Sequence, residues 1–108
     1  MSLRLLERNI IIMTEMSIEQ FKNNLEKCQQ EYYLKEIKRI RLSSGQKKDI
    51  IGHTKEKFKF SVIFEGGTAF LTGAGEKIIL PEDSKILKSE TDSFIIRKKD
   101  GMIFLNTR

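Results

Sequence analysis

From Phe58 onward the chain is interrupted by turn signals at short intervals, and this constrains its fold more than any other feature. Gly66-Gly67 has the composition of a two-residue hairpin turn, and Gly73-Ala74-Gly75 marks a second turn. Pro81-Glu82-Asp83-Ser84 has the form of a type I turn, and Lys99-Asp100-Gly101 carries the Asp-Gly pair of another hairpin. The runs left between them are residues 68–72, 77–80, 85–88, 93–98 and 102–106. None leaves room for a crossover helix, and connections this short force neighbouring strands to run antiparallel. Phe58, Phe60, Val62 and Phe64 alternate with Lys57, Lys59, Ser61 and Ile63, so the four apolar residues are expected on one sheet face.

Upstream the period changes. Ser17 and Gln20 are spaced as a capping box, in which each side chain bonds the other's backbone amide. Ile18, Phe21, Leu25, Cys28 and Tyr32 then follow at intervals of 3, 4, 3 and 4, an apolar stripe along a helix over 17–32. This helix ends near residue 33 or runs on to Ser43-Ser44-Gly45. The β-branched stretch 37–42 favours a strand.

The expected fold class is therefore α+β. An N-terminal amphipathic helix precedes a meander of about five to seven antiparallel strands, as a curved sheet under the helix or a small open barrel. Residues 16–108 read as one domain. Residues 1–15 read as an extra element or as an extension upstream of a start at Met13 or Met16.

The 108 residues suit a single modest core, and one cysteine rules out an intramolecular disulfide. A reducing, cytoplasmic setting is expected. The cluster Ile10-Ile11-Ile12 is too short for a membrane span, so no membrane partner is expected. The glycine pairs lack the Gly-Lys-Ser/Thr ending of a phosphate loop and read as turns. His53 is the only histidine and has no cysteine or second histidine to share a metal with. The carboxylates Glu65, Glu76, Glu82, Asp83, Glu90 and Asp92 are dispersed. No catalytic residue, metal, cofactor or small-molecule substrate is expected, and Cys28 reads as a core residue on the helix stripe.

The net charge of +5 is unevenly placed. Residues 34–66 hold nine Lys/Arg against four Asp/Glu, which accounts for +5 in that stretch. The excess lies at 35–59, and localised charge speaks of partners and not of fold. Two function classes follow. The favoured one is a non-enzymatic protein-interaction or regulatory module, of the kind carried by phage or mobile elements. It would engage a partner through the helix stripe or an open sheet edge. The stripe Ile18, Phe21, Leu25 and Cys28 also invites a homo-oligomer. The other class is a nucleic-acid-binding module using Lys38, Arg39, Arg41, Lys47, Lys48, Lys57 and Lys59, with Tyr32 and Tyr33 as stacking rings. Cations sharing one acid-free face would favour nucleic acid, and interleaved Glu36, Asp49, Glu56 and Glu65 would favour protein.

Overall fold

The computed structural model describes residues 13–108, which form an α+β fold of one helix and ten short strands. Strand β1 (Met13–Met16) leads into helix α1 (Ile18–Cys28), which is followed by β2 (Glu31–Arg41) and β3 (Lys47–His53). Then come β4 (Phe58–Lys59), β5 (Ser61–Glu65), β6 (Thr68–Gly73) and β7 (Glu76–Leu80). The chain closes with β8 (Lys85–Ser89), β9 (Phe94–Lys98) and β10 (Gly101–Asn106). A seven-stranded sheet runs in the order β1, β8, β9, β10, β2, β3, with β4 pairing the first two residues of β2. A separate three-stranded sheet is β5, β6, β7.

The expected α+β class and antiparallel pairing hold. Three finer expectations do not. The helix is not N-terminal among the described residues, because β1 precedes it and pairs with β8. The strands do not form one meander, because β2 lies between β3 and β10, far apart in sequence. The strands form two sheets, a seven-stranded and a three-stranded one, and not the single curved sheet or small open barrel expected.

Local chemistry accounts for the elements. The Ser17 hydroxyl accepts the Gln20 amide at 3.1 Å, and the Ser17 amide donates to Gln20 Oε1 at 2.9 Å. This capping box satisfies two of the helix's orphan donors. The helix stops at Cys28 because Gln29 turns left-handed, at φ 49°, and its amide closes on the Leu25 carbonyl. Tyr32 therefore belongs to β2 and not to the helix stripe. The Gly66-Gly67 turn has positive φ at both residues (57° and 81°), which matches the twist of a tight hairpin. The Ser84 amide closes the Pro81 turn at 3.0 Å.

The core lies between the two sheets, with α1 beside β5. Phe21 and Leu25 of the helix are buried with Leu34, Phe94, Ile96, Ile103 and Leu105 of the large sheet. The small sheet contributes Val62, Ala69, Leu71, Ile78 and Leu80. Of the expected apolar row, Phe60 and Val62 are buried and Phe58 is half-buried, but Phe64 is exposed beside the Gly66-Gly67 turn. The chain passes from the large sheet to the small one at Phe60, between β4 and β5, and the buried row runs on to Val62 before it ends.

Tyr32 is fully buried, and its ring meets Phe94 edge-on at 5.8 Å. Burial, with smaller contributions from Cys28 and Asp92, pushes its hydroxyl up to about 12. The ionised form is thus disfavoured in the fold more than in the open chain. Below the ordinary tyrosine value of 10.0 both states are neutral, and the fold keeps its full stability. Between pH 10 and about 12 the unfolded state ionises first, so stability falls. The expected loss is about 2–3 kcal/mol. Urea titrations across this range should show it in the wild type, and Tyr32→Phe should remove that part of the loss.

Candidate interaction surface

Strand β3 forms one edge of the large sheet, and its ladder with β2 can be phased from its two ends. The Leu42 amide donates to the Gln46 carbonyl at 2.7 Å, and the Thr54 amide donates to the Leu34 carbonyl at 2.9 Å. Hydrogen-bonded and non-bonded pairs alternate along an antiparallel ladder. The bonded pairs between these anchors are therefore Ile40 with Lys48, Lys38 with Ile50, and Glu36 with Gly52. Lys48, Ile50 and Gly52 direct their backbone groups inward to β2. Lys47, Asp49, Ile51 and His53 direct theirs outward, and among the described residues no strand lies beyond them.

Both faces of β3 are wet. All seven of its residues are exposed, with Ile50 at 48% and Ile51 at 58%. Register explains the difference from the rest of the sheet. Ile50 lies across from Lys38, on the face that carries the buried Leu34. Its exposure shows that the second layer stops short of β3. Ile51 lies across from Ile37 on the opposite face. The strand thus overhangs the core with one isoleucine on each side and a row of free backbone groups along its rim.

The same register divides the basic cluster. Tyr33, Lys35, Arg39, Arg41 and Lys47 lie on the outer face, whereas Lys38 and Lys48 lie on the core-side face with Glu36. Asp49 sits among the outer cations, and Arg39 Nε donates to its carboxylate at 2.9 Å. That hydrogen bond, first among the causes, holds the Asp49 carboxyl below its ordinary range and raises the Arg39 guanidinium. Lys57 stands over the Tyr33 ring at 5.5 Å, and Lys35 over Phe104 at 5.9 Å. Lys59 lies across from Glu31 in the short β4 pairing. The expected cations are therefore neither on one face nor free of acids. Tyr32 is buried and offers no ring face for stacking, which leaves Tyr33, half-buried.

The expected packing face of the helix is also revised. Phe21 and Leu25 are buried in this chain's own core and Ile18 packs against it. Cys28 is exposed, because the helix ends there and the chain turns at Gln29. Phe21 and Leu25, the middle of the stripe, are thus consumed in this chain's own core. Among the described residues, no group of three or more His, Cys, Asp or Glu is placed to hold a metal, and no helix is long and apolar enough to cross a membrane.

Sequence reasoning missed β3 itself. Ile50 and Ile51 are adjacent, so neither face shows the alternation of a half-buried strand. The available signal was the β-branched pair following the Ser43-Ser44-Gly45 turn. No protein-family model matches the chain, and comparisons with characterised proteins and with solved structures found no match.

Proposed function

We propose that this chain is a non-catalytic protein-interaction module that adds a partner's extended strand to the edge of β3. One observation carries the reading. A seven-residue strand is exposed on both faces, with the backbone of Lys47, Asp49, Ile51 and His53 turned outward. Edge strands of this kind are templates for pairing with another chain. Main-chain bonds supply affinity, and the flanking side chains supply selectivity. The lysines at the start of the strand restrict the pairing, since an edge lysine disfavours indiscriminate association.

A second reading has its own support. Lys38, Arg39, Arg41, Lys47 and Lys48 crowd the end of the β2–β3 ribbon, where Asp49 is the nearby acid. A two-stranded basic ribbon is of a size that enters the major groove of a duplex.

Ile51→Pro separates these readings. Proline at 51 removes an outward amide and leaves the inward ladder to β2 in place, the position at which edge strands tolerate it. Its far-ultraviolet circular dichroism should match the wild type, and its melting temperature should match that of the wild type at low concentration, where self-association adds nothing. In affinity capture from a nuclease-treated native lysate, the wild type should retain a partner that Ile51→Pro loses. Retention that ignores Ile51→Pro overturns strand addition. Retention abolished by nuclease and by Arg41→Ala assigns the ribbon to nucleic acid.

A further inference from the structure

We infer that the strand received by β3 is β3 of a second copy of this chain, paired antiparallel about a two-fold axis at Ile50. The inference rests on the strand-addition reading and specifies its partner. A two-fold axis perpendicular to a sheet pairs residues whose numbers sum to an even value, so outward-directed residues meet outward-directed residues. Centring on Ile50 sets Lys47 against His53 of the other copy and Asp49 against its Ile51. All four outward residues of each strand are then used, and none is left over.

Three further features favour this register. First, Ile50 meets Ile50 of the other copy as a non-hydrogen-bonded pair, the closer of the two pair types. The 48% of Ile50 that this chain leaves uncovered thus gains an apolar neighbour. Second, the antiparallel arrangement keeps like charges apart. At ~3.3 Å per residue the two Lys47 positions lie about 20 Å apart and the two Lys48 positions about 13 Å apart, both beyond the screening length of ~8 Å at physiological salt. Third, both faces of β3 are exposed, so among the described residues no second-layer element stands in the way of another sheet edge. The two seven-stranded sheets would then join into one continuous sheet.

The test uses the full chain. Light scattering over rising concentration should show the apparent mass climbing from the 12.6 kDa monomer toward twice that value. Ile51→Pro should remain monomeric. Register is read by cysteine cross-linking in a Cys28→Ser background. Ile50→Cys should form a disulfide-linked dimer under mild oxidation, because facing non-bonded pairs have a Cα separation of ~4.5 Å, within disulfide reach. Ile51→Cys should not, although Ile51 is the more exposed of the two at 58%, so random collision would link it at least as readily. A wild type that stays monomeric throughout, or equal cross-linking at both positions, overturns the second copy. If in that case a partner of different sequence is still captured by the wild type and lost by Ile51→Pro, strand addition stands without self-pairing.

Discussion

Replacing Phe94 with alanine is expected to lower stability by about 3–5 kcal/mol, a large share of what a domain of this size holds. Phe94 is fully buried on β9, near the middle of the large sheet. Its ring meets Phe21 of α1 edge-on at 4.9 Å and Tyr32 of β2 edge-on at 5.8 Å. One side chain thus joins the helix to two strands, and its removal leaves a cavity that no single neighbour can fill. Chemical denaturation should show the loss with little change in the dependence on denaturant. A loss below 1 kcal/mol would mean that helix and sheet close over the gap.

Gly73→Ala is the second large effect, at an expected cost of about 2–4 kcal/mol from steric conflict combined with an unfavourable backbone angle. Gly73 ends β6 with φ of 152°, beside the place where the chain crosses between sheets. A Cβ there would stand 2.5 Å from the Phe60 ring and 2.6 Å from the Lys59 carbonyl oxygen. The ring can rotate, but the carbonyl belongs to β4 and is held by the large sheet. Gly52→Ala is the matching control. A Cβ at Gly52 meets nothing within 4 Å, so that substitution should be neutral or slightly stabilising. Thermal melting of the two variants side by side measures the difference. Equal melting temperatures would show that the crossing is loosely packed.

The parts of this fold that could be read from sequence were those set by local chemistry. The Ser17 and Gln20 cap and the Gly66-Gly67 turn each depend on a few adjacent residues and formed as expected. The β9–β10 hairpin also forms, but its turn residues are Lys99 and Asp100, with Gly101 already paired to Lys98 in β10. The failures depend on distant partners. Cys28 fits the helical stripe by spacing, yet the helix ends at it. Phe64 fits the period-two row, yet it is exposed near the end of β5 whereas Phe60 and Val62 are buried. Pairing of β1 with β8 has no local signature. For the candidate surface, sequence identified the basic residues but not the edge they flank. Charge can be read from composition, whereas an open backbone edge exists only once strand order is known.

That strand order also sets the sequence of events when the chain is made. The small sheet consists of two consecutive hairpins, so β5, β6 and β7 find their partners within a few residues. The β2–β3 ribbon is likewise local. By contrast, Met13 waits for Ser89 and Tyr33 waits for Asn106. Contacts that bridge such separations close slowly, because loop entropy is spent before they form. During synthesis from the N-terminus, β1 must stay unpaired until β8 emerges, and the inner edge of β2 until β10 does. For that interval β2 carries an open edge on the side later taken by β10, in addition to the one β3 keeps for good. A growing chain thus offers the β10 side of β2 as a pairing template that the finished chain no longer shows, and arrival of β10 ends that exposure to mispairing.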